Sequence, residues 1–301
     1  MSKPRIGFVG VGLMGHGIAK NLVTKGFPLA LRLHRNRAVA ADLLAAGATE
    51  AQSHADLARD ADIVILCVTG APEVEEVILG ANGIAGGARQ GLIVVDTSTS
   101  EPATTARMRK VLADDGVRFV DAPLARTPVE AEQGRLNIMV GADEATFEEL
   151  KPVFGAFCEN IVHAGPAGHG IILKLLNNFL AQAICTATAE ACAAAAKSGL
   201  SIAKLHQVVS AGAVNSGLFQ MLVGRMLESG DLTGLKFTLV NAAKDLRYYT
   251  HFTESMMLPS IVGEAVHQSL VTANALGFGD KYVASLIEAQ EKLAGLAIVP
   301  R

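Results

Sequence analysis

The chain has 301 residues, of which 50% are hydrophobic and 18% charged, with 26 Lys and Arg against 29 Asp and Glu. This composition excludes a disordered chain and a miniprotein, and the near-balance of charge provides no overall basic field to hold nucleic acid or anionic lipid. At roughly 100–200 residues per domain, the length points to two domains with sizeable cores.

Up to about residue 163, short β-branched runs alternate with helix-length segments. The runs are RIGFVGV (5–11), LALRL (29–33), DIVILCV (62–68), LIVVD (92–96) and VRFVD (117–121). Runs that are apolar on both faces predict a parallel sheet wrapped by helices, a doubly wound α/β domain. Beyond residue 165 the β-rich runs stop. Ala- and Leu-rich segments punctuated by Gly199, Gly212, Gly217, Gly230, Gly234, Pro259 and Gly277 predict an all-α second half. The break falls in HAGPAGHG (163–170), which divides the chain into domains 1–164 and 165–301. The segment 171–197 predicts a helix of about 40 Å. Being apolar nearly all round, it reads as the spine of the second domain and part of a subunit interface.

No uninterrupted apolar run reaches the roughly 18 residues that cross a bilayer, since 171–185 carries Lys174, Asn177 and Asn178. The glycine-rich N-terminus lacks the small-residue cleavage site of a signal peptide. Cys67, Cys158, Cys185 and Cys192 show neither Cys-x-x-Cys spacing nor a nearby histidine pair, so no zinc site or disulfide framework is expected, and a reducing cytoplasm fits. Cys185 and Cys192 read as small buried hydrophobes on one helix face.

The first run leads into Gly10-Val11-Gly12-Leu13-Met14-Gly15. Gly10 permits the tight turn, Gly12 lets backbone approach a pyrophosphate, and Gly15 allows close helix-on-strand packing. The phosphates would meet free N–H groups at the start of the next helix. Because the motif follows a strand and opens a helix, it predicts a dinucleotide-binding domain of the Rossmann type. Where an NAD-preferring domain places an acid to hold the ribose hydroxyl, this chain has His34-Arg35-Asn36-Arg37. A guanidinium suits a 2′-phosphate, so Arg35 and Asn36 point to NADP, with NAD possible. Solvated arginines at a helix start are the alternative reading.

Further on, Lys174, Asn177 and Asn178 stand at i, i+3 and i+4 and share one helix face. A lysine in so apolar a segment is costly to bury unless it is used, and burial lowers its pKa toward proton exchange near neutrality. The bland alternative is a snorkelling lysine with two inter-helix asparagines.

These pieces together resemble the β-hydroxyacid dehydrogenases, whose members include 3-hydroxyisobutyrate dehydrogenase and tartronate semialdehyde reductase and, more distantly, 6-phosphogluconate dehydrogenase. The resemblance spans essentially the whole chain through 7–15, DTST (96–99), 121–141, 168–178 and KFTLVNAAKDL (236–246). It implies that Lys174 is the catalytic lysine and that Asn178 holds substrate and lysine in register. It likewise implies that Thr97 and Ser98 flank the nicotinamide, with Val68 and Thr69 beneath the cofactor. Phe237 would lie beside the nicotinamide, Lys244 would contact the cofactor, and Asp245 would close the site.

The chain departs from the family's Asp-Ala-Pro-Val-Ser-Gly-Gly, having Asp121-Ala122-Pro123-Leu124-Ala125-Arg126-Thr127. Ala125 replaces the substrate-binding serine and Arg126 a glycine. With Thr127 and Asn177 they form the expected substrate contacts, and Arg126 is similar to the arginine that serves the sulfonate in sulfolactaldehyde reductases. The implied activity is NADP-linked interconversion of a small anionic β-hydroxy acid and its 3-oxo acid or semialdehyde, and the implied assembly is a homodimer or homotetramer; no residue spacing points to a metal. Sulfolactaldehyde reduction stays open, as does a non-catalytic dinucleotide-binding sensor or scaffold; Lys174 argues against an imine reductase. His16 reads as a surface helix residue, His163 and His169 have no metal-ligand partners at useful spacing, and Tyr248 and Tyr249 read as core.

Overall fold

The computed structural model describes residues 3–34 and 37–300. Its strands are β1 (Ile6–Val9), β2 (Leu29–Arg32), β3 (Thr49–Glu50), β4 (Ile63–Leu66), β5 (Ile93–Asp96), β6 (Arg118–Asp121), β7 (Leu124–Ala125), β8 (Leu136–Gly141) and β9 (Cys158–Gly165). They form one sheet in the order β3-β2-β1-β4-β5-β6-β8-β7, with β9 also paired to β8. From β3 to β6 all pairings are parallel, and β8 runs antiparallel to β6 with Asp121 opposite Gly141. The five apolar runs are β1, β2, β4, β5 and β6. The first ends at Val9 because Gly10, at φ 99°, leaves the extended region.

Alternate residues of these strands feed two cores. Ile6, Phe8, Leu31, Ile65 and Val95 pack with Ile18 and Leu22 of α1 (Gly15–Thr24). On the opposite face, Val9, Val64, Leu66 and Val94 pack against Leu57, Val74, Ile78, Met108 and Leu112. Those residues come from α3 (His54–Asp60), α4 (Ala71–Leu79) and α5 (Pro102–Ala113); α2 (Ala41–Ala45) follows β2. Burial on both faces is why these strands read as continuous apolar runs. The strands outside those runs carry a weaker signal, since β3 has two residues and most of β9 is solvent-accessible, with no clean alternation of polar and apolar residues.

Two short helices lie among the last strands, α6 (Pro128–Glu132) and α7 (Glu144–Phe154). The long helix is α8 (His169–Lys197), 29 residues, or about 43 Å. By length and composition it is able to cross a bilayer, with mean hydropathy 1.3. Yet Asn178, Gln182 and Thr186 are buried at four-residue spacing along it, the pattern of a helix packed inside protein.

The chain forms two compact units, Met1–Lys174 and Leu175–Arg301. The division lies inside α8, past the glycine- and proline-containing break at 163–170, because the first turn of α8 is tied to β6. The second unit continues with α9 (Ile202–Ser210), α10 (Gly217–Phe219), a π-helical turn at Gln220–Gly224 and α11 (Arg225–Ser229). It ends with α12 (Leu239–Ser255), α13 (Ile261–Ala273) and α14 (Leu286–Ala294). Gly199 and Gly230, both at positive φ, follow α8 and α11, and Pro259 separates α12 from α13.

Candidate active site

Within the first unit, the 10–15 turn, Val68, Thr69, Thr97 and Ser98 lie at the C-terminal edge of the sheet, where strand order reverses between β1 and β4. That edge is where open α/β sheets bind ligands. A Cβ on Gly10 would lie 2.1 Å from the Cys67 carbonyl oxygen, and one on Gly15 would lie 1.9 Å from the Gly10 carbonyl oxygen. These two glycines are dictated by the chain itself. A Cβ on Gly12 would meet nothing within 4 Å, so glycine there leaves open space at the backbone. Helix α1 has no side-chain cap and no acid in its first turn. Open space beside an uncapped, dipole-positive helix start fits a dinucleotide pyrophosphate. Leu13 is largely exposed at the loop tip and Met14 occupies the N-cap position.

The neighbouring strand ends are stitched together. The Ser98 hydroxyl accepts from the Val68 N–H at 2.9 Å, the Thr97 hydroxyl donates to the Leu66 carbonyl at 2.6 Å, and the Ser98 N–H donates to Asp96 at 2.9 Å. Val68 and Ser98 are therefore held as one ledge beside Gly10, with the exposed Thr69 next in the chain. Arg35 and Asn36 lie outside the described residues. Of the flanking residues, Arg37 pairs with Glu50 at 2.7 Å.

Ala125 ends β7, paired with Asn137 of β8, and the next residue, Arg126, adopts φ 82°, a left-handed conformation that a side chain rarely takes. Its guanidinium is held by the Glu159 carboxylate and the Arg135 carbonyl. Thr127 caps α6: its N–H donates to Glu130 at 3.0 Å and its hydroxyl accepts from the Val129 N–H at 3.3 Å.

Asp121, at the end of β6, is 2% exposed and accepts from two N–H groups at the start of α8. These are Gly168 at 2.6 Å and Ile171 at 2.9 Å. Burial pushes its carboxyl up to about 6, although backbone N–H groups draw it back. Lys174 lies one turn beyond Ile171.

In the second unit, a chain of hydrogen bonds joins three of the expected residues. Asn177 donates to the Asn178 side-chain oxygen at 3.1 Å, and Asn178 donates to Asp245 at 2.6 Å. Lys244 completes the group with an ion pair to Asp245 at 3.1 Å and a position over the Tyr248 ring. Phe237 is half-buried, and its carbonyl accepts from the Val283 N–H. Tyr249 stacks on Phe179, and both Tyr248 and Tyr249 are buried, as expected of core aromatics.

Three features escape a reading of the sequence. Asp121 stands in a quoted motif, yet its partners are far along the chain. Glu159 has no motif around it. His16 is no free surface residue: it bonds Glu132 of α6 at 2.6 Å and Asp42 of α2 at 3.1 Å. Burial pulls its pKa down, but bonding to Glu132 and Asp42 outweighs this and raises it. All four cysteines are free, with thiols pushed up by burial. Among the described residues no cluster of three or more His, Cys, Asp or Glu is placed to hold a metal.

Two family models match the chain. Residues 5–165 match the NAD binding domain of 6-phosphogluconate dehydrogenase, and residues 168–289 match the NAD-binding region of NADP-dependent 3-hydroxyisobutyrate dehydrogenase. The 2-(hydroxymethyl)glutarate dehydrogenase of Eubacterium barkeri is 30% identical over 98% of this chain and 97% of its own. The 2-hydroxy-3-oxopropionate reductase of Escherichia coli (strain K12) is 31% identical over 96% of this chain and 98% of its own. A solved structure, 3-hydroxyisobutyrate dehydrogenase from Salmonella typhimurium, matches with a TM-score of 0.81 at 28% identity, covering 94% of this chain and 99% of that one.

Proposed function

Because the chain belongs to the β-hydroxyacid dehydrogenase family of NAD(P)-dependent oxidoreductases acting on hydroxyl groups, we propose that it interconverts a small β-hydroxy acid and its 3-oxo acid or semialdehyde, with Lys174 carrying the proton. The observation that carries this reading is the placement of Lys174 in the same compact unit as the phosphate loop, on a helix that starts from the C-terminal end of β6. When bound, the nicotinamide accepts or supplies the hydride. In oxidation, neutral Lys174 takes the proton from the substrate hydroxyl oxygen; in reduction, its ammonium returns one to the carbonyl oxygen.

Asn178 enters this reading with its amide orientation set by Asp245, which takes one amide hydrogen and so directs the side-chain oxygen to Asn177. Gly10, Gly12, Leu13, Met14, Gly15, Val68, Thr69, Thr97 and Ser98 form the cofactor ledge, with Phe237 and Lys244 as further contacts. Arg35, with Asn36, is the proposed basis of a preference for NADP over NAD. The substrate's acid group is assigned to Ala125, Arg126, Thr127 and Asn177. Glu159 already neutralises Arg126, so a substrate anion must compete with it, whether carboxylate, the leading reading, or sulfonate, the alternative. The exposed apolar stripe Leu173, Leu176, Leu180 and Ile184 on α8 supports association of copies into a dimer or tetramer.

Lys174→Ala should bind NADPH as the parent does and lose turnover by several orders of magnitude; near-normal kcat overturns the assignment. The activity is read as absorbance of the reduced nicotinamide. Assaying 3-hydroxyisobutyrate, 2-hydroxy-3-oxopropionate and 3-sulfolactaldehyde with both cofactors separates the substrate readings.

A further inference from the structure

We infer that Asp121 is a positioning residue for Lys174, clamping the first turn of α8 to the end of β6 and so setting where the lysine side chain begins. This rests on the reading of Lys174 given above. Asp121 is 2% exposed, and its two carboxylate oxygens divide their work between the Gly168 and Ile171 N–H groups. Both belong to the helix start, whose N–H groups have no partner within the helix. A carboxylate there also meets the positive end of the helix dipole.

Two glycines make room for this clamp. A Cβ on Gly141, opposite Asp121 on β8, would lie 2.6 Å from both carboxylate oxygens. A Cβ on Gly170 would lie 2.4 Å from the Met139 carbonyl oxygen, 2.6 Å from the Asp121 carbonyl oxygen and 2.9 Å from its carboxylate. The helix therefore sits on the sheet edge at backbone distance, with no side chain between. In α-helix geometry the Lys174 N–H closes on the Gly170 carbonyl. The residue that touches the sheet and the residue that moves the proton are thus one hydrogen bond apart. The clamp acts on the backbone at the helix start, and so on where the lysine side chain begins.

The test compares Asp121→Asn, Gly170→Ala and Lys174→Ala, using NADPH and 2-hydroxy-3-oxopropionate as probes. Asparagine offers one acceptor where the carboxylate offers two, so one N–H faces an amide hydrogen. In Asp121→Asn, NADPH should bind within about twofold of the parent while kcat falls about a hundredfold, the scale of an ångström of misplacement. Amide exchange at 168–174 should quicken about tenfold, the scale of one lost hydrogen bond, with β1 to β5 unchanged. The exchange readout needs no substrate, so a poor probe leaves the test standing. Parent-like kcat together with parent-like exchange at 168–174 overturns the inference. If Asp121→Asn loses protection throughout, Gly170→Ala decides. It keeps the carboxylate but forces the helix off the sheet, and parent-like kcat and exchange in it overturn the inference. Retained kcat in Lys174→Ala would instead overturn the proton-transfer reading; an inactive Lys174→Ala beside a fully active Asp121→Asn sinks the clamp alone.

Discussion

Replacing Asp121 by asparagine should change how stability responds to pH, independently of any effect on turnover. The buried carboxyl titrates near 6 against an ordinary 3.8. Between those values the folded chain binds more protons than the unfolded one, so this group's contribution to stability is full below about pH 4 and falls as the pH rises through 6. Roughly two pKa units at about 1.4 kcal/mol each come to about 3 kcal/mol in all, of which about 2 kcal/mol falls between about pH 4.5 and 7.5. Asparagine has no such slope. Its mismatched N–H costs about 1–3 kcal/mol at every pH, so at neutrality loss and gain nearly cancel. Urea unfolding followed by far-ultraviolet circular dichroism should show the variant gaining about 2 kcal/mol on the parent from about pH 4.5 to 7.5. A difference that stays constant across that range refutes a carboxyl whose pKa is raised by burial.

Two further predictions test the first unit. Gly10→Ala places a methyl 2.1 Å from the Cys67 carbonyl oxygen at φ 99°; strain and overlap together should cost about 3–5 kcal/mol, read as a shift in urea midpoint, and a loss under about 1 kcal/mol contradicts the geometry. His16 has a raised pKa, so its stabilisation is present below the unfolded value and is lost as the pH rises through the folded one. His16→Ala should therefore cost about 1 kcal/mol near pH 6 and less near pH 9 in the same assay, and an equal cost at both values contradicts a charged His16 between Glu132 and Asp42.

Asp121 also bears on the relation of stability to function. A buried carboxylate that weakens the fold at neutral pH is hard to explain by packing alone, because a neutral side chain would avoid the desolvation. Its two bonds to the start of α8 make sense as orientation of the helix that carries Lys174. Arg126 shows a related tension. A glycine would accept φ 82° without strain, and the arginine there is held by Glu159 and Arg135.

Much of the architecture was legible in the sequence because it depends on local pattern. The runs at β1, β2, β4, β5 and β6 feed the two cores by local pattern, and within one strand-turn-helix Gly10 takes φ 99° while Gly15 closes on the Gly10 carbonyl. The helix-breaking residues of the second half likewise act where they stand. The edge strands were harder to read: β3 is too short to show a period, and β9 is half solvated.

What only the tertiary structure decided was which polar groups meet. Asp121 and Ile171, His16 and Glu132, Arg126 and Glu159, and Asn178 and Asp245 are each far apart in the chain, and a hydrogen bond between distant residues leaves no periodicity in the sequence. Hydrophobic pattern determines which face of an element is buried, since burial scales with area and tolerates exchange among apolar side chains. A hydrogen bond requires one donor and one acceptor within a few tenths of an ångström. For Asp121 that requirement is met only once the fold has brought the end of β6 to the start of α8.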